Sequence, residues 1–272
     1  MLRQRVLVTV VLLPVGLAIF ALGGWVFAAA MALVLGLAAR EYGLLYRPGG
    51  LRPALPLLVV GVASLALLRH ACGFEYSVPL LAALALAGMT WHLVDFERGA
   101  PRAGTDFGLT LGGILYLGVV GAYLVSLRDL PDGLWWLLVS LPVVWIGDSA
   151  AYFVGRAYGR HKMAPRLSPK KSWEGYAAGI LAAAVSGLAL AALYGAGLGL
   201  APSLTPSAGL IVGLVLGTVT TLGDLGISMM KRELQVKDTG RLLPGHGGVL
   251  DRIDSWLWAG VLGYYLALGL AV

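Results

Sequence analysis

GYAAGILAAAVSGLALAALYGAGLGLAPSLTPSAGLIVGLVLGTVTTLG (175–223) carries no charged side chain from its first residue to its last. A helix that crosses a bilayer needs about 20 apolar residues, so this stretch holds two spans, with APSLTPS (201–207) as the break. Strands of a membrane barrel would alternate apolar and polar residues over about ten positions. These runs are apolar on every side, so they read as helices. Their frequent Gly, Ala and Ser suit close helix–helix approach in lipid.

The same search outward along the chain finds more spans. No charge occurs between Arg5 and Arg40, and Gly23-Gly24 divides that run into spans at about 6–22 and 25–43. RPGGLRP (47–53) is a loop, followed by candidate spans at 54–70, 76–94, 108–127 and 134–155. WHLVDFERGAPRAGTD (91–106) and RDLPDG (128–133) separate the last three, and a final span begins near 255. The expected fold is an all-α integral membrane protein of about nine transmembrane helices, one polytopic domain over 1–272. Within it, 1–133 supplies N-terminal helices, and 134–272 supplies catalytic helices and loops. MLRQR before an apolar run resembles a signal peptide but lacks a cleavage region, so the first span reads as retained. No internal repeat is evident.

Composition agrees. Charged residues make up 12% of the 272 residues and apolar ones 58%, against about 25% charged in a soluble domain. That apolar fraction excludes disorder. The single cysteine, Cys72, excludes an internal disulfide framework or a cysteine-rich metal site. The net charge of +6 is read as topological rather than as a nucleic-acid surface. With the N-terminus cytoplasmic, nine spans place 18 of the 20 Lys and Arg inside, leaving only Arg69 and Arg128 outside. That is the positive-inside pattern.

Two basic cytoplasmic loops hold more than that pattern requires. Asp148 lies in WIGDSAAYFVGR (145–156) and Asp224 in TLGDLGISMMKR (221–232), each within or after a long apolar run. A carboxylate at the centre of a membrane helix costs about 2.5–3.5 kcal/mol on insertion scales. One such Asp reads equally well as an interfacial helix cap; two, each heading a basic loop, favour function. Asp224, Ser228 and Lys231 or Arg232 share a helical face, as do Asp251 and Asp254 at the start of the last span. These carboxylates can converge on one cytoplasmic cavity. Hard oxygen ligands suit Mg²⁺, usually held by one or two carboxylates plus substrate phosphates. Lys170, Lys171, Lys231, Arg232, Lys237 and Arg252 suit the phosphates themselves. Carboxylates among many cations is the equipment of phosphoryl-group transfer.

The glycines around His246 in LLPGHGGVLDRID (242–254) allow turns and close backbone approach to a ligand. Dinucleotide-binding and P-loop patterns are absent. His70, His92 and His161 have no metal spacing and read as interfacial. Trp135, Trp136 and Trp256, near span ends, read as interfacial anchors. In SPKKSWEG (168–175), Ser172 reads as a helix N-cap and Glu174 as a first-turn acid.

SMMKRELQVKDTGRLLPGHGGVLDRID (228–254) closely resembles the signature of the phosphatidate cytidylyltransferases, the CDP-diacylglycerol synthases, with no departure across its 27 positions. GDSAAYFVGRAYGRHKMAPRLSPKKSWEG (147–175) is similar to that family's second cytoplasmic segment, and LRQRVLVTVVLLP (2–14) and AREY (39–42) also look like it. Spans three to five match only in being apolar. The resemblance implies transfer of a cytidylyl group from CTP to phosphatidic acid, giving CDP-diacylglycerol and pyrophosphate, with Mg²⁺. Family members are thought to carry a second cation. It implies a multi-pass protein of the inner (plasma) membrane with the active site facing the cytoplasm, and a homodimer is usual. On this reading Asp148, Asp224, Asp251 and Asp254 hold metal. The catalytic set is Asp224, Asp251, Lys231, Arg232, Lys237 and His246. Ser168, Lys170, Lys171, Ser228, Gly247, Gly248 and Arg252 bind substrate.

Two other classes compete. A cation- or proton-coupled secondary transporter also buries carboxylates, but near the bilayer midplane and often between repeated halves. The CDP-alcohol phosphotransferases use a single multi-Asp motif that this chain lacks.

Overall fold

Every backbone N–H and C=O in a bilayer must find its partner inside the protein, and the long apolar runs do so as helices. The computed structural model describes residues 13–201, 203–240, 242 and 247–271. The helices are α1 (Leu13–Leu22), α2 (Gly24–Leu45), α3 (Leu55–Cys72), α4 (Ser77–Glu97), α5 (Ala103–Gly113) and α6 (Tyr123–Arg128). A wider π turn, Ile114–Val119, joins the last two. They are followed by α7 (Gly133–Tyr158), α8 (Trp173–Ala192), α9 (Pro206–Val219), α10 (Thr221–Glu233) and α11 (Leu250–Leu270). Among the described residues, seven helical segments are long and apolar enough to cross a membrane. The two remaining expected spans correspond to α1, of which ten residues are described, and to α11, whose first turn is polar and whose body is rich in Trp and Tyr.

The chain divides into two compact units, Met1–Ser126 with Glu233–Ile253, and Leu127–Arg232 with Asp254–Val272. The first boundary lies close to the expected one at 133/134. Beyond the expectation, the segment 233–253 packs with the N-terminal helices.

In the first unit, Gly23 and Gly24 take positive φ (62° and 50°), which lets α1 turn directly into α2. Phe27, Leu35, Leu58, Leu65, Ile114 and Leu117 are fully buried. A polar knot sits among them. Asp106 Oδ1 accepts from Arg52 N (2.7 Å), and Thr110 Oγ1 accepts from Ala54 N (2.9 Å). His92 Nε2 lies 2.9 Å from the same Thr110 hydroxyl. His92 is only 2% exposed, which corrects its reading as interfacial: the Thr110 hydroxyl gives the ring a buried partner.

In the second unit, α7, α8 and α9 pack through small residues. A Cβ on Gly187 would run into Gly209 O, and one on Gly213 into Ala183 O. Glycine is therefore what allows α8 and α9 this spacing. Between α7 and α8, a Cβ on Gly179 would lie 2.9 Å from Gly147 O. Trp136 is fully buried with Nε1 3.4 Å from Ser203 Oγ, so it is a core residue and not an interfacial anchor. The basic segment after α7, read as loop, contains an antiparallel hairpin, β1 (Lys162–Ala164) and β2 (Ser168–Ser172), with Lys162 opposite Ser172. Ser172 caps α8 as expected, its Oγ accepting from Gly175 N at 3.2 Å. Glu174 accepts the N–H groups of Arg160 (3.2 Å) and His161 (3.1 Å), and Trp173 N donates to His161 O (2.9 Å). These bonds tie both ends of the hairpin to the start of α8.

Candidate active site

Asp148 sits on α7 one turn before Tyr152, and Asp224 sits in the first turn of α10. Within the second unit the two carboxylates line a cavity of about 720 Å³, shared with Ser168, Lys170 and Lys171 of the hairpin. Lys171 Nζ lies 2.7 Å from Asp224 Oδ2. Ser228 Oγ donates to Asp224 Oδ1 at 3.4 Å, the i, i+4 contact that the sequence spacing implies. Arg232, on the same helix, donates from Nε to Leu167 O at 3.1 Å and so fastens the hairpin turn to α10. Lys231 precedes it, half-buried.

Asp254 is buried, with Oδ1 accepting from Ser255 N at 2.6 Å. The carboxylates of Asp148, Asp224 and Asp254 are within electrostatic reach of one another. Four cations line the cavity (Arg156, Lys162, Lys170 and Lys171) against two carboxylates, Asp148 and Asp224. Such a wall attracts a polyanion and leaves carboxylate oxygens for a divalent ion. Among the described residues, no group of three or more His, Cys, Asp or Glu side chains forms a ready-made cage. Mg²⁺ does not require one, because it keeps waters and takes one or two carboxylates plus substrate phosphates. The donors present fit that ion.

The remaining expected residues belong to the first unit. Asp251 Oδ2 accepts three hydrogen bonds, from Thr239 N (2.8 Å), Thr239 Oγ1 (2.9 Å) and Gly248 N (3.1 Å). The Gly248 N–H is thus engaged within the chain. Gly247 takes a φ of 85°, and a Cβ there would lie 3.3 Å from Asp251 Oδ2. Lys237 lines a second cavity of about 500 Å³ with Arg40, Glu41 and Asp238. Arg252 is exposed in the first turn of α11. His246 lies outside the described residues.

Sequence reasoning assigned no site role to Arg156, Lys162, Tyr152 or Tyr176, which complete the first cavity. The two cations were visible only as part of the positive-inside count. Tyr176 is held in place by its hydroxyl, which donates to Thr218 O at 2.7 Å.

Comparison with known proteins agrees with this chemistry. Residues 3–269 match the model of the cytidylyltransferase family. The chain belongs to the cytidylyltransferase family. A relative from Synechocystis sp., a phosphatidate cytidylyltransferase, is 33% identical over 292 residues, covering 97% of this chain and 96% of its own. The enzyme of the same name from Mycobacterium bovis is 34% identical over 227 residues, 77% of this chain and 69% of its own. That of Brucella suis is 43% identical over 158 residues, 58% of this chain and 56% of its own. A cytidylyltransferase handles a nucleoside triphosphate, and a cavity walled by four cations with carboxylates at hand is suited to one.

Proposed function

We propose that this cytidylyltransferase moves the cytidylyl group of CTP onto phosphatidic acid, forming CDP-diacylglycerol and releasing pyrophosphate. The observation that carries the reading is the likeness to the Synechocystis phosphatidate cytidylyltransferase over 97% of the chain. The cavity chemistry supports it independently.

The reaction is an in-line displacement. A phosphate oxygen of phosphatidate attacks the α-phosphorus of CTP, and the bond to the pyrophosphate oxygen breaks. The nucleophile is already anionic, so no general base is required. Catalysis then rests on positioning and on charge stabilisation. Lys170 and Lys171, with Arg156 and Lys162 on the same wall, neutralise phosphate oxygens and the charge that builds on the leaving pyrophosphate. Lys231, Arg232, Lys237 and Arg252 add cations from the signature segment, and Ser228 offers a hydroxyl beside Asp224. Asp148, Asp224, Asp251 and Asp254 are the residues that would hold Mg²⁺, which would supply positive charge to offset that of the phosphates. Asp148 and Asp224, the two carboxylates of that wall, offset part of its positive charge.

The membrane arrangement that fits this chemistry has nine spans, the N-terminus cytoplasmic and both basic segments on the cytoplasmic side of the inner membrane. CTP then arrives from the cytoplasm, and the acyl chains enter from the lipid between helices. A transporter reading has no comparable support.

Incubation of the purified protein with cytidine-labelled CTP and phosphatidate tests the reaction. A lipid-extractable labelled product, with pyrophosphate released in equal amount, is expected. Label that stays entirely water-soluble under conditions where a known relative is active would sink the reading.

A further inference from the structure

Glu41 is 3% exposed, although it carries a charge and sits near the end of an apolar helix, α2. Burying a carboxylate is costly unless hydrogen bonds replace its water, so its partners show what it holds. Oε2 accepts from Leu250 N at 3.0 Å and lies 3.4 Å from Thr239 Oγ1. Those partners are 209 and 198 residues away in sequence. Leu250 opens α11, where a free N–H and the helix dipole both favour a negative charge. Thr239 is the residue whose N–H and hydroxyl bind Asp251 Oδ2. The Thr239 hydroxyl, with one proton to give, thus sits between the carboxylates of Glu41 and Asp251 and donates to one of them at a time.

The backbone also closes on Glu41. A Cβ on Gly240 would run into its Oε1, and one on Gly248 would lie 2.5 Å from its Oε2. Oε1 is buried and has no hydrogen-bond partner among the described residues. The carboxylate therefore touches the chain at 239–240 and again at 248–250, on either side of the stretch that carries Arg241 and His246.

The geometry points to Glu41 as a positioning residue for the signature segment. Its carboxylate pins both ends of 239–250 to α2 and, through Thr239, sets the orientation of the Asp251 carboxylate. This inference rests on the proposed function only for the meaning of turnover; its structural content stands apart from it. Partners of this kind, one bond removed from reacting groups, typically cost 10–100-fold when lost.

The test uses full-length protein in which Cys72, the sole cysteine, is replaced and a cysteine is placed at Leu242, which is 45% exposed. Turnover, the CTP KM, the Mg²⁺ concentration for half-maximal rate, and the thiol-labelling rate at 242 are measured. Glu41→Ala should lower kcat by about 10–100-fold, raise the Mg²⁺ requirement and speed labelling at 242, with little change in the CTP KM. Glu41→Gln keeps an acceptor of the same reach and should recover most of both readouts. Glu41→Asp keeps the charge but is one methylene shorter, so it should recover less than Gln. That order also decides the matter if the Ala variant fails to fold. Wild-type turnover and labelling in Glu41→Ala would overturn the assignment, as would Asp outperforming Gln. An inactive parent protein would instead refute the proposed reaction, and labelling at 242 would then decide the role of Glu41 alone.

Discussion

Asp224 shares its carboxylate between Ser228 and Lys171, whereas Asp251 gives one oxygen to three donors on the signature segment. Asp→Asn keeps the size of either side chain and removes the charge. We expect Asp224→Asn or Asp251→Asn to lower turnover by at least ~10²-fold, about 2.7 kcal/mol of transition-state stabilisation. Each variant should still insert and extract, because losing a charge next to the membrane does not oppose insertion. Glu233→Gln, exposed at the end of α10, is the control and should stay within a few-fold of the parent, a change of about 1 kcal/mol or less. Initial rates across a Mg²⁺ series give the measurement. Near-normal turnover of Asp251→Asn at low Mg²⁺ would remove that residue from the metal site. The i, i+4 relation of Asp224 and Ser228 was legible from spacing alone, because helical geometry dictates it. The Lys171–Asp224 pair was not, since it depends on a hairpin folding back over α10.

At the scale of elements, glycine decides how near two helices come. Gly187 faces Gly209 across α8 and α9, with no room for a methyl group on either. Gly104, at the start of α5, has nothing within 4 Å of an added Cβ. Gly187→Ala should therefore destabilise the protein by about 1–3 kcal/mol, the usual cost of overpacking. Gly104→Ala should leave stability unchanged or slightly raised, since Ala is the better helix former. Thermal midpoints in one detergent compare them, and equal midpoints for the two variants would contradict the packing. Gly175 lies where α8 meets α7 beside the cavity, and a Cβ there would come within 2.5 Å of Ala151 O. Gly175→Ala should cost turnover as well as stability, because the shift it forces moves the hairpin lysines.

For the whole molecule, orientation and ion dependence are the quantities to measure. In a Cys72-free background, a cysteine at Arg166 or Leu242 should label only from the cytoplasmic side, and one at Leu200 only from the other. Labelling of Arg166 and Leu200 from the same side would break the nine-span arrangement. Chelation by EDTA should abolish cytidylyl transfer, and added Mg²⁺ should restore it without refolding. Full turnover in chelated buffer would leave the carboxylates without the role proposed for them.

Membrane residence, helical class and the family signature were all decided by the sequence itself. Apolar runs longer than a bilayer is thick have one stable form in lipid, and a helix carries its own hydrogen bonds wherever it packs. Ser172 as a cap and the shared face of Asp224 and Ser228 followed for the same reason, as local geometry. Contacts between distant segments were beyond its reach. Trp136 and His92 looked interfacial by position and proved buried, because Ser203 and Thr110 supply partners that lie far from them in sequence. The hairpin at 162–172, the cation wall of its cavity and the placement of Glu41 between Thr239 and Leu250 likewise came from tertiary structure. A periodic pattern records which face of a helix is buried, but not which residue some two hundred positions away will meet it.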